Sequence, residues 1–366
     1  VEQMFILFFV VLHAVSSTNE LTVRFSKVST IPQYNLPQID LPLTSKHYPI
    51  TNATYQWLKY TSGTSVMTFE QCYSCSWSVD SLIEVVGGPP FHPSENSSSP
   101  YWDELLHVAK IQRLRRKGID PKIIMPLPDA WKDYSIHDVA EAVHDEFLGI
   151  HHIALLSKWK KEKAITMDAS IVSPVSVVDF LRSMVLLGDM MMWAIARVGP
   201  YNFALKWHVG LARPEEVAFQ IASGSMTIGP PKKVVRVIRA LKLGNATQFT
   251  AYPEGCPTHP AWPAMHSASS AASLWMPVVM KLTPYQLCQV QLTDYAIAYA
   301  RTIAGVHYQA DNIAGLKLGQ EIVARLLPDF LNEKYGTSKS VVEEKVKSLR
   351  FDWDTFLDSD CAKGMI

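Results

Sequence analysis

Beyond residue 100, apolar positions recur at the three- and four-residue spacing of helices that bury one face. In residues 102–117 they fall at Leu105, Leu106, Ala109 and Leu114, the stripe of an amphipathic helix. Further helices are predicted over 136–162 (one or two), 175–198, 215–224, 231–243, 264–282, 284–304 and 310–335. Ser135 and Asp138 are candidates to cap the first of these. Pro174, Pro200, Pro214, Pro230, Pro263, Pro284 and Pro328 punctuate this part of the chain. Strand alternation is rare after residue 130. The expected fold is mainly α, a helical bundle.

Residues 19–100 differ. They are rich in Thr, Ser, Pro and Tyr, with little helical period. An irregular layer with short strands or turns is expected there. Gly87-Gly88-Pro89-Pro90 breaks the chain, and 95–100 reads as an exposed loop. No internal repeat is visible. The division is a signal peptide over 1–18, an irregular N-terminal region over 19–130, a helical catalytic domain over 131–335 and a C-terminal tail over 336–366.

The run Met-Phe-Ile-Leu-Phe-Phe-Val-Val-Leu-His-Ala-Val at 4–15 precedes Ser-Ser-Thr-Asn. It has the shape of a signal-peptide apolar core, without the usual basic start. It is shorter than the roughly 20 residues needed to span a bilayer. Three sequons, at Asn52, Asn96 and Asn245, agree with export of a glycoprotein. The reading is a secreted protein. The apolar stretch 177–198 carries Asp179, Arg182, Asp189 and Arg197. Such charges are costly in lipid, so no membrane span is expected. This stretch, with Met190-Met191-Met192, is read as a core helix.

Composition narrows the function classes. The 366 residues carry 34 Lys+Arg and 34 Asp+Glu, with 48% hydrophobic residues. Disorder is excluded by the apolar content, and a general nucleic-acid binder by the missing basic excess. Anion chemistry must come from a few local cations. The basic run 113–117 and the run 158–163 read as solvated helix faces. Five cysteines do not make a disulfide framework. Cys72 and Cys75 form a lone CxxC, read as a local disulfide or two ordinary thiols. Cys256 and Cys288 are candidates for a pair if the protein is exported.

Three segments carry chemistry. The first runs Lys206-Trp-His-Val-Gly-Leu-Ala-Arg213-Pro214. Pro214 disfavours helix at Arg213, so Arg213 is expected just past a helix end, its guanidinium turned inward. The second is His259-Pro-Ala-Trp-Pro263-Ala264-Met265-His266-Ser267. Pro263 is expected in the first turn of a helix. That puts His266 beside free N–H groups, which attract anions. The third is Arg301-Thr-Ile-Ala-Gly-Val-His307-Tyr-Gln-Ala-Asp311. His307 and Asp311, four apart, are neighbours on a helix, where the carboxylate fixes the imidazole tautomer. Arg301 converges with His307 if Gly305 breaks the helix. Taken singly, each has an ordinary reading: surface cations, a capping or core histidine, a salt-bridged histidine. Together, three cations, two imidazoles and a helix start make a site for a tetrahedral or trigonal-bipyramidal oxyanion.

Over roughly 175–325 these residues resemble the vanadium-dependent haloperoxidases and their relatives, the type 2 phosphatidic acid phosphatases. The first and third segments match the family pattern in full, and 257–266 is especially similar to the algal bromoperoxidase branch. The resemblance implies a helical fold, vanadate as cofactor, and hydrogen peroxide, halide and an organic acceptor as partners. It implies that Lys206, Arg213 and Arg301 hold the equatorial oxygens of vanadate. It makes His307 the vanadium ligand and His266 the acid–base at the apical oxygen. Lys206 would also polarise bound peroxide. Asp311, His259 and Ser267 would support the site. His259 occupies a position that is His in bromoperoxidases and aromatic in chloroperoxidases, implying bromide or iodide as the halide.

Two departures stand out. The family's Pro-Ser-Gly-His is here Pro263-Ala264-Met265-His266, which lacks a hydroxyl and a glycine. By analogy with oxyanion holes, one lost donor costs about 10²–10³ in rate. Phe203 stands where bromoperoxidases tend to carry a polar or basic residue. Two alternatives remain at this stage: a soluble acid phosphatase with His307 as nucleophile, and a non-catalytic oxyanion-binding relative.

Overall fold

Ser135 opens the first helix whose start the sequence marks. Its hydroxyl accepts from the Asp138 N–H while the Asp138 carboxylate accepts from the Ser135 N–H, a reciprocal cap that satisfies two otherwise orphaned donors. The structure, a computed structural model, describes residues 77–88, 90–144, 150–161, 166–172, 180–257, 259–270 and 272–365. The apolar run 4–15, Asn52, Cys72 and Cys75 lie outside the described residues.

In chain order the helices are α1 (Val79–Val85), α2 (Tyr101–Arg116), α3 (Ile136–Glu141), α4 (Ile150–Lys161), α5 (Phe180–Val209) and α6 (Pro214–Ser223). They continue with α7 (Lys232–Arg239), α8 (Met265–Ser269), α9 (Ala272–Val279), α10 (Pro284–Ala304), α11 (Gln309–Tyr335) and α12 (Lys339–Leu349). Among the described residues the β pairing is one isolated bridge, Met167 to Met280. The fold is mainly α, as the periodicity predicts. No helix among the described residues is long and apolar enough to cross a membrane.

Helix α10 is the centre of the bundle. From Leu292 to its end every residue is buried, polar ones included. One core cluster gathers Trp102, Trp159, Leu205, Ile238, Trp275 and Ile322. The other packs Trp131, Tyr295, Trp353 and Phe356. Where α10 buries polar groups they find partners: His152 Nε2 meets Asp294 Oδ1 at 2.7 Å, and Asn312 Nδ2 donates to Thr302 Oγ1 at 2.8 Å.

Four sequence expectations change. Pro200 does not end a helix: α5 runs through it to Val209, held by buried Val198 and Tyr201. The segment 264–282 is two helices. Ser269 and Ser270 turn their hydroxyls back onto the His266 carbonyl, and that competition with the ladder stops α8 at Ser269. Pro263 lies before the cap, not in the first turn; its peptide is cis and Ala264 is the N-cap. Finally, Cys288 pairs with Cys361 and Cys256 is a free thiol, so the Cys256–Cys288 pairing is wrong. The pairing ties the C-terminal 3₁₀ segment Trp353–Asp358 region to α10 from outside the motif-rich part of the chain.

Of the basic run 113–117, Arg115 is buried and donates to the Thr250 carbonyl at 2.8 Å. Arg116 donates to the Leu241 and Gln248 carbonyls. These two cations are structural ties rather than a plain solvated face.

Candidate active site

Five helix ends supply the candidate residues. Lys206 lies in the last turn of α5, Arg213 is the N-cap of α6 with Pro214 at its first position, and His266 is the second residue of α8. Arg301 lies in the last turn of α10. His307 precedes α11, and Asp311 sits in its first turn. Arg213 is therefore outside a helix, as Pro214 requires.

Gly305 makes the third segment converge. It caps α10 with φ +85°, a left-handed conformation that costs glycine little. The turn it closes sends Val306 N–H back to the Arg301 carbonyl at 3.1 Å. A Cβ at Gly305 would also press on Gln112 and the Phe249 carbonyl at 3.0 and 3.1 Å.

The histidine of that turn is held from both sides. Asp311 Oδ2 lies 3.0 Å from His307 Nδ1 and accepts the Tyr308 N–H at 3.0 Å. Arg213 Nη1 lies 2.9 Å from His307 Nε2 and also donates to the Val306 carbonyl at 2.8 Å. A guanidinium only donates. Nε2 therefore accepts, and the ring proton sits on Nδ1 facing the carboxylate. The lone pair of Nε2 points into the cationic cluster.

Each cation is buried and braced by carbonyls. Lys206 Nζ donates to Pro260 and Ala261 at 2.9 and 2.7 Å. Arg213 donates from Nε to the His259 carbonyl at 3.0 Å and from Nη2 to His259 Nδ1 at 3.1 Å. Arg301 Nη1 donates to Val143 at 2.7 Å and to the Tyr252 hydroxyl at 2.9 Å. Its guanidinium lies over the Tyr252 ring, and its Nε is buried with no hydrogen-bond partner. Lys206, Arg213 and Arg301 are all at most 2% exposed.

The electrostatics follow from that crowding. Burial, then the neighbouring guanidiniums, pushes the Lys206 ammonium well below its ordinary range. Burial lowers Arg301. Burial first and the cations second hold His266, His307 and His259 far below the usual imidazole value, so they are neutral. Burial raises the Asp311 carboxyl against the pull of Lys206. Lys206, Arg213 and Arg301 are buried around the Asp311 carboxyl, and Glu215 also acts on Arg213. Burial is costly for charged groups, and an anion bound here would relieve part of that cost for Lys206 and Arg301.

Helix α8 is brought to this cluster by two glycines. A Cβ on Gly315 of α11 would fall 2.4 Å from the Ala264 carbonyl oxygen, and one on Gly319 would fall 2.1 Å from that of Ala268. The Ala264 N–H donates to the Asp311 carbonyl at 2.9 Å. Met265 is buried with its methyl group beside Gly199, so its bulk is absorbed against α5.

The supporting residues divide. His259 bonds Arg213 and meets Phe203 edge-on, ring centroids 5.1 Å apart. Ser267 is buried, and its hydroxyl donates to Asn312 Oδ1 at 3.3 Å. Through Asn312 and Thr302, whose hydroxyl donates to the His307 carbonyl at 3.2 Å, Ser267 braces the His307 turn. It is thus engaged with the scaffold, not with the cations.

Sequence reasoning missed Tyr252, Thr302, Asn312, Gly315 and Gly319. Only the glycines left a signal: two small residues four apart on one helix face. Among the described residues no cluster of His, Cys, Asp and Glu is arranged to hold a metal cation; the donor set fits an oxyanion. No protein-family model and no curated protein matches the chain.

Proposed function

We propose that the chain is a vanadate-dependent haloperoxidase-like enzyme that uses hydrogen peroxide to oxidise bromide or iodide. The observation that carries the reading is His307: Nδ1 held by Asp311, Nε2 turned among three buried cations. The Arg301 Nε, buried with no hydrogen-bond partner, and the gathering of three buried basic side chains fit the group. Lys206, Arg213 and Arg301 would hold its oxygens, and His307 Nε2 would donate to its central atom. When bound, vanadate supplies the chemistry that makes a peroxide oxygen transferable to a halide.

The chain's own residues then have separate tasks. The three cations neutralise developing negative charge in a site from which water is excluded, where such stabilisation is strongest. Asp311 keeps the His307 proton on Nδ1 and so keeps Nε2 unprotonated. His266, neutral when the site is empty of anion, accepts a proton and returns it. His259, bonded to Arg213 and packed edge-on to Phe203, orients the guanidinium. The Cys288–Cys361 disulfide supports function in an oxidising compartment, in line with export.

A second reading rests on the same cluster, because phosphate is isosteric with the group proposed. His307 Nε2 would attack phosphorus as the ester oxygen leaves, His266 would protonate that oxygen, and water would then hydrolyse the phosphohistidine. Purified protein titrated with vanadate separates the two. Vanadate-dependent bromination of a phenol-type dye with peroxide, lost in His307→Ala, is the expected result. Aryl-phosphate hydrolysis that vanadate only inhibits, without any bromination, overturns the peroxidase reading in favour of the phosphatase. Vanadate binding without either turnover leaves only oxyanion binding and overturns both.

A further inference from the structure

Away from this site, positive charge is gathered on one face although the whole chain is neutral. Between Glu216 and Glu254 there is no acidic residue, and none between Glu104 and Asp120. The two stretches include α7 and most of α2, which pack side by side. Lys233 reaches Asp103 at the start of α2, and Arg116 at its end reaches the Leu241 carbonyl just beyond α7. The helices therefore run parallel, with their basic ends together. Arg113, Lys117, Lys232, Arg236, Arg239 and Lys242 are exposed along these two adjacent helices and the turn after α7.

Local helix physics does not account for all of these charges. Cations in a last turn complement the helix dipole, but Lys232 and Lys233 occupy the first turn of α7, which has no acidic residue of its own and where the dipole opposes them. Lys233 has Asp103 as a partner. Lys242 adopts φ +51°, alone among non-glycine described residues in having a positive φ. Glycine or asparagine is the ordinary occupant of that conformation. An external anion would offset the dipole's opposition at Lys232.

We propose that the α2–α7 face docks a linear polyanion, specifically an acidic polysaccharide bearing sulfate or carboxylate groups. The span from Lys232 to Arg239 is about 10 Å at helical rise, with Lys242 just beyond it, long enough to meet several repeating charges. The exposed positions of α7 carry no aromatic residue, so there is no platform for stacking bases. They also lack the large apolar side chains with which an interfacial helix enters a membrane. The disulfide points to a compartment whose linear polyanions are glycans rather than nucleic acids.

The test is independent of the catalytic reading. Binding of the full chain to dextran sulfate, to polygalacturonate and to duplex DNA is measured over a salt series. Three proteins are compared: wild type, Arg236→Glu/Arg239→Glu, and a control, Lys347→Glu/Lys363→Glu, on a different face. Six contacts give a slope of log affinity against log salt near −4, taking about 0.7 per charge as for a single-stranded polyanion. The α7 variant is expected to lose at least tenfold on a glycan and the control to stay within twofold. The sulfate and carboxylate arms identify the chemistry. Equal loss in the control, no binding to either glycan, or binding to DNA alone overturns the proposal. Circular dichroism and unchanged oxyanion binding confirm that the variants are folded.

Discussion

Gly319→Ala is the sharpest probe of how the site is assembled. The added methyl carbon would lie 2.1 Å from the Ala268 carbonyl oxygen, about 1 Å inside a normal contact. The obstacle is backbone, so no rotamer change relieves it. Helix α8 and α11 must separate, and α8 carries His266. Overpacking of this kind costs about 1–3 kcal/mol, and a clash this deep belongs at the upper end. A chain of 366 residues gains unfolding entropy of roughly 0.77 kcal/mol/K, so about 3 kcal/mol lowers Tm by about 4 °C. A displacement near 1 Å of a reacting group costs on the order of 10² in rate. Gly188→Ala is the matched control: it lies within α5, with nothing within 4 Å of an added Cβ. There alanine should stabilise by about 0.5–1 kcal/mol. Urea unfolding and oxyanion binding are measured for both. If Gly319→Ala unfolds like the wild type and binds vanadate equally well, the close approach of α8 to α11 does not position His266, and the argument fails.

Three further outcomes are expected. Asp311→Asn replaces the carboxylate with an amide whose NH₂ can donate to His307 Nδ1 and favour the other tautomer, so turnover in whichever assay is active should fall by about 10³–10⁴, by analogy with the serine-protease aspartate. Vanadate binding should survive that change, and a loss under tenfold would refute the tautomer role. Sulfate does not titrate near neutrality, so its affinity isolates the protein's protons. A bound dianion raises the depressed His266, His307 and Lys206; protons are taken up, and calorimetry should show affinity rising as pH falls from 8 to 6. Without anion the same imidazoles refuse protons that the unfolded chain accepts below about 6.5, so stability should fall as pH drops through that value, and fall less with sulfate present. Cys361→Ser opens the Cys288–Cys361 loop, whose sequence separation is 73. Loop-closure entropy gives a loss of about 4 kcal/mol, read by urea unfolding against the oxidised wild type.

The helical nature of this protein and the identity of its charged cluster were written in local sequence. Helical spacing, the Ser135 cap, Pro214 beside Arg213, Gly305 after α10 and the four-residue interval from His307 to Asp311 act over one or two turns, so they can be read without knowing the fold. What the sequence could not supply was set by distant partners. Pro200 was tolerated because the core holds both sides of it. The serines after His266 divided a helix that composition alone would have continued. Cys288 chose Cys361 over Cys256 because the bundle, not the spacing, decides which sulfurs meet. The direction of the His307 lone pair depends on Arg213, and the place of His266 on two glycines of α11. Helix propensity is a short-range property; convergence of five helix ends on one buried cluster is a property of packing, and only the folded chain decides it.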